Sequence, residues 1–76
     1  MTQTQQNVLS DAYLLGISEA RGLLKSNPDL TLTEMHNCLA NAKTSLTMGY
    51  AQPMRDTFRG ERDFWALQIK RKTTEV

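Results

Sequence analysis

The stretch Met54–Lys72, MRDTFRGERDFWALQIKRK, holds the only Trp, both Phe residues and six of the nine basic residues of this 76-residue chain. Wound as an α-helix, it sorts into two stripes. Met54, Phe58, Trp65 and Ile69 recur on one side at spacings of 4, 7 and 4; Arg55, Arg59, Arg62 and Lys70 recur on the adjacent side at 4, 3 and 8. The first stripe predicts a core face. The second predicts a surface that meets water, an anion or an acidic partner. Gly60 leaves two forms of the helix open: one kinked helix, or two pieces, Pro53–Arg59 and Glu61–Lys72.

Two further helices precede it. From Asn7 to Ser26 the apolar residues fall in an arc of about 200°, wider than one neighbour needs, so this helix is expected to lie between two partners or at a subunit interface. Gly16 and Ala20 sit within that arc, where small residues let another helix approach. Asn27-Pro28-Asp29 stops the helix, because Pro28 biases Asn27 away from helical backbone. Thr31 and Glu34 then stand at capping-box spacing, with Leu30 and Met35 at the staple positions around them. Leu32, Met35, Cys38, Leu39, Ala42 and Leu46 form a one-sided apolar face, and Gly49 suits a left-handed cap. Pro53 suits the first turn of the third helix, where its missing N–H is no loss.

The expected fold is therefore all-α, a small three-helix bundle with helices at about 7–26, 32–48 and 53–72. Residues 1–6 are expected to be a disordered start, 7–72 one helical domain and 73–76 a disordered tail. The stripe predicts that Trp65→Ala and Phe58→Ala each cost about 3–5 kcal/mol.

Size narrows what else can hold the chain together. A single domain of this length buries a small core and is marginal alone. One Cys excludes an intrachain disulfide, and one His with one Cys cannot complete a four-ligand zinc site. Self-association remains, and a homodimer through helix 1 and part of helix 3 is expected. No charged segment followed by an apolar run opens the chain, and no run is long enough to span a bilayer, so a cytoplasmic setting with no membrane partner is expected.

The chemistry of an enzyme is absent from the pattern. His36 and Cys38, two apart on a helix, point about 160° away from each other and make no nucleophile–base pair. Cys38 lies in the apolar face and reads as a small core residue; His36 reads as a boundary residue. There is no phosphate loop, dinucleotide fingerprint, metal-binding helix motif or Ca²⁺ loop, so no catalytic residue, cofactor or metal is assigned. Net charge is +1, which excludes a generally basic nucleic-acid coat. Residues 1–36 carry two basic and four acidic groups, and residues 37–76 carry seven and four, which allows an anionic partner on the C-terminal half.

Arg55, Arg59, Arg62 and Lys70 are the candidate partner-binding residues, since guanidinium groups on successive turns can meet carboxylates or phosphates bidentately. Asp56, Glu61 and Asp63 lie among them. Asp56–Arg59 and Arg59–Asp63 stand at intrahelical pairing distances, so a salt-bridged solvated face explains the same residues. A helix–turn–helix reading fits poorly: a helix of about four turns is followed by a Pro-containing link, and only the third helix is basic. A membrane-surface helix would divert the aromatics from the core and set carboxylates against anionic lipid.

In its type the chain resembles the short helical accessory proteins of temperate phages and prophages. The carriers are the polar Met1-Thr-Gln-Thr-Gln-Gln6 start, the single helical domain, the lack of a catalytic signature and the run Pro53–Trp65. The resemblance implies a non-enzymatic regulator or binder of host or phage proteins and assigns no residue a role. The expected function is a protein-interaction module (adaptor, inhibitor or modulator) using the arginine stripe against an acidic surface. The alternative is a small nucleic-acid-binding regulator using the same stripe with Arg71 and Lys72.

Overall fold

The local signals place the helix ends first. The computed structural model describes residues 10–74 and contains helices α1 (Asp11–Ser26), α2 (Leu32–Leu46) and α3 (Met54–Thr74), with no strand among the described residues. The fold is all-α, as the periodicity predicts. At α2 the capping box forms in full: the Glu34 N–H donates to Thr31 Oγ1 at 3.2 Å, and the Thr31 N–H donates to Glu34 Oε1 at 2.8 Å. Leu30 and Met35 both pack into the core, as the staple requires. Gly49 has φ +80°, the left-handed conformation expected of it.

Several boundaries differ from the sequence reading. Helix α1 begins at Asp11, because the Ser10 hydroxyl accepts the Tyr13 N–H and Asp11 occupies the positively polarised first turn. Asn7–Leu9, and the expected disordered start at 1–6, lie outside the described residues. Helix α2 closes at Leu46, two residues early, since the Thr47 hydroxyl donates back to the Thr44 carbonyl and Thr47 caps the helix. Helix α3 starts at Met54, and the Pro53 carbonyl accepts the N–H groups of Asp56 and Thr57. It also runs further than expected. Thr73 and Thr74, read as disordered tail, are helical, and their hydroxyls donate to the carbonyls of Ile69, Lys70 and Arg71. Glu75 and Val76 lie outside the described residues.

Helix α3 is the spine. It packs on both α1 and α2, whereas no Cα of α1 comes within 8 Å of an α2 Cα among the described residues. α1 runs parallel to α3: Ser10 hydrogen-bonds Asp56 near one end, and Arg21 lies beside Gln68 and Arg71 near the other. α2 runs antiparallel to it, with Leu46 beside Arg55 and Met35 beside Gln68 and Lys72. The order is up-down-up with the third helix between the first two.

This placement explains α3 better than two stripes do. Its face toward α2 carries Trp65, 3% exposed, with Phe58 and Ile69 half-buried. Met54, expected in the core, is 49% exposed, because α2 has already ended before it. Phe58 is also less enclosed than expected; its main aromatic neighbour is the exposed Tyr50, with ring centroids 5.4 Å apart. The face toward α1 carries Thr57, Gly60 and Phe64. Phe64 is 8% exposed and meets Trp65 edge-to-face at 5.1 Å. With Ala20 and Met35 these two aromatics form the core.

Gly60 does not split α3. It is buried within one continuous helix. A Cβ placed on it would collide with the Tyr13 carbonyl oxygen, and a Cβ on Gly16 would collide with the Thr57 carbonyl oxygen. The two glycines let the backbones of α1 and α3 meet directly. The helix-propensity cost of about 1 kcal/mol per glycine is thus offset by close packing.

Candidate functional site

Of the four basic residues singled out by spacing, Arg55, Arg59 and Arg62 are half-buried and engaged within the molecule, and Lys70 is exposed. The Arg55 guanidinium donates to the Leu46 carbonyl at 3.1 Å and so closes the C-terminus of α2, where a cation also complements the helix dipole. Arg59 pairs with Asp56 at 3.4 Å. Arg62 donates from Nε to Asp63 Oδ1 at 2.9 Å. The expected Arg59–Asp63 pair does not form, because Asp63 is taken by Arg62 on one oxygen and by the Tyr13 hydroxyl, at 2.5 Å, on the other. Lys70 is exposed and makes no ion pair among the described residues.

Asp63 consequently ties α1 to α3. Burial works against its charge, but the hydrogen bonds from Tyr13 and Arg62, with the positive charges of Arg62 and Arg59, outweigh burial and hold its carboxyl below the usual range. The same hydrogen bond raises the Tyr13 phenol, with burial adding to it. This network accounts for much of the arginine stripe as structure.

A second surface, on the other side of α3, was not visible in the spacing. Because α3 holds α1 and α2 apart, an open groove of about 230 Å³ runs between them. Glu19 and Leu23 stand on its α1 wall, and Cys38, Ala42 and Ser45 on its α2 wall. Glu61 and Trp65 form the floor. No Lys, Arg or His lines it. Leu23 is 45% exposed at the rim, and Leu15, one turn before Glu19 on the same side of α1, is 51% exposed. The apolar arc of α1 is therefore only half used: its inner edge packs on α3, and its outer edge stands at the mouth of the groove. The width of that arc was the one sequence signal that pointed here.

Within the groove Glu61 faces Glu19. Burial, then the Glu19 charge and a hydrogen bond with its carboxyl, raises the Glu61 carboxyl above the ordinary range. Burial and the charges of Glu34 and Glu61 likewise raise the Cys38 thiol, which makes it a poor nucleophile at neutral pH. His36 is exposed on another side of α2, apart from Cys38 as the helical spacing requires. Among the described residues no group of three or more His, Cys, Asp or Glu could hold a metal ion, and no helix is long and apolar enough to cross a membrane.

No protein-family model matches the chain, and neither a curated protein nor a solved structure matches it significantly.

Proposed function

We propose that this chain is a non-enzymatic protein-interaction module, an adaptor, inhibitor or modulator acting by occupancy, and that its partner seats in the groove between α1 and α2. The observation that carries the reading is Leu23, exposed on the wall of a groove floored by Trp65, with the exposed Leu15 two turns before it on α1. Aliphatic rims around an aromatic floor are the usual anchors of helix-in-groove recognition. The arginine stripe is the weaker surface, since Arg55, Arg59 and Arg62 already have partners inside the molecule. A cytoplasmic regulator of host or phage proteins, the type its resemblance implies, fits this reading.

Affinity capture from an extract of the source cells tests it. Leu23→Glu is expected to abolish capture with the fold intact, because a rim substitution changes stability by only about 0.5 kcal/mol. An Arg59/Arg62/Lys70→Ala variant is expected to retain the partner. The reverse pattern overturns the groove assignment.

A second reading has its own observation. Lys70, Arg71 and Lys72 cluster exposed at the end of α3 without ion pairs among the described residues, as a phosphate-binding end of a nucleic-acid regulator would. Duplex binding that falls steeply with salt, by about one counterion per basic residue removed, supports that reading; its absence at low salt rejects it.

A further inference from the structure

The groove is anionic as well as apolar, and this says what kind of partner it takes. Resting on the reading above, we propose that its occupant is a helix of a partner protein that inserts one Lys or Arg side chain between α1 and α2, with its cationic head at Glu19 and Glu61.

Three features favour that occupant. First, charge: Glu61 on the floor and Glu19 on the wall line the same groove, and no basic residue lines it to balance them. A cation placed between Glu19 and Glu61 relieves their repulsion in a partly desolvated setting, where such pairing is worth more than at an open surface. Second, lining: the groove is open to solvent, with Leu23 on its wall and Trp65 on its floor. The methylene stem of Lys or Arg can lie along Leu23 and the Trp65 ring while the head reaches the carboxylates. Third, the walls: Ala20, Ala42 and Ser45 are small, so a helix laid across the mouth can come close, with a neighbouring apolar side chain on the exposed Leu23.

Two other occupants fit less well. A metal ion lacks ligands, since no group of three suitable side chains exists among the described residues. A second copy of this chain has Arg55, Arg59 and Arg62 held by Leu46, Asp56 and Asp63, which leaves its exposed Lys70, Arg71 and Lys72 as the cations it could offer, and the test below separates that case.

The test uses the full chain and two Trp-free amphipathic helical peptides that differ at one central position, Lys in one and Glu in the other. Trp65 is the only Trp and lies on the groove floor, so its emission reports occupancy. The Lys peptide is expected to shift that emission saturably at one peptide per chain, binding at least about tenfold more tightly than the Glu peptide. In the double variant Glu19→Gln/Glu61→Gln the preference should vanish, with unchanged circular dichroism showing that the fold persists. Equal binding of both peptides to the wild-type chain overturns this inference and leaves the interaction-module reading standing. Binding of neither overturns both. Trp65 emission that instead follows protein concentration alone, with a doubled mass, assigns the groove to a second copy and overturns the inference.

Discussion

Gly16 and Gly60 dock reciprocally across the α1–α3 crossing. Gly16 lies against the turn from Thr57 to Glu61 that contains Gly60, and Gly60 lies against the turn from Tyr13 to Ile17 that contains Gly16. A methyl group at either position would strike carbonyl oxygen that cannot swing aside. Gly16→Ala and Gly60→Ala are each expected to destabilise the fold by about 2–3 kcal/mol, despite the better helix propensity of Ala. Gly22 is the control. It is helical with open space where a Cβ would stand, so Gly22→Ala should stabilise by about 0.5–1 kcal/mol. Urea unfolding of the three variants reads both signs. Stabilisation by Ala at position 60 would show that the helices do not meet there.

The aromatic residues should divide by enclosure and not by stripe. Trp65→Ala and Phe64→Ala are expected to cost about 3–5 kcal/mol each, since both side chains are nearly closed off. Phe58→Ala should cost about 1–2 kcal/mol, because Phe58 is half-buried against the exposed Tyr50. Equal losses at positions 58 and 64 in chemical denaturation would contradict the packing described.

Two carboxylates set opposite pH dependences. Glu61 has a folded-state pKa above its unfolded value, so the native state holds its proton more tightly. Its effect favours the fold below the ordinary Glu pKa and turns against it as pH rises through the folded value. Glu61→Gln should therefore raise Tm at pH 7 by about 1–3 °C, a few tenths of a kcal/mol after solvent screening, and the gain should fade on acidification. Asp63 is lowered, so its contribution is full above the ordinary Asp pKa and is lost as pH falls through the folded value. Asp63→Asn should accordingly lower Tm at pH 7 and matter little in strong acid. Thermal melts across pH, with a Glu61→Gln melt no higher than wild type at pH 7, would count against the carboxyl pair.

Arg55 is expected to behave as a structural residue. Arg55→Ala removes the guanidinium that closes α2 at the Leu46 carbonyl and should cost about 1 kcal/mol. Arg59→Ala breaks only an exposed pair and should cost under about 0.5 kcal/mol. A guanidinium titration ranking the two the other way would restore Arg55 to the candidate site.

The signals that the sequence displayed openly are the local ones. A cap such as Thr31–Glu34 is decided within four residues, so it could be read without knowing the fold. Gly60 could not, because a helical glycine means a break or a close approach depending on which helix lies against it. Phe64 falls outside the single apolar stripe that the spacing predicts, because a central helix buries two faces. The spacing sets the arginines on one stripe of α3, but Arg55's partner is a carbonyl nine residues away, outside intrahelical spacing. The groove depends on α3 holding α1 and α2 apart. Its only trace in the chain was the excess width of the α1 apolar arc, with Leu15 and Leu23 at the edge that α3 leaves open.

The central claim is that recognition occurs at that edge. A photo-reactive residue at position 23, compared with one at position 59 on the basic side of α3, tests it by contact in extracts of the source cells. A discrete adduct is expected from position 23, suppressed by Glu19→Gln/Glu61→Gln, and none from position 59. An adduct from position 59 alone would contradict it.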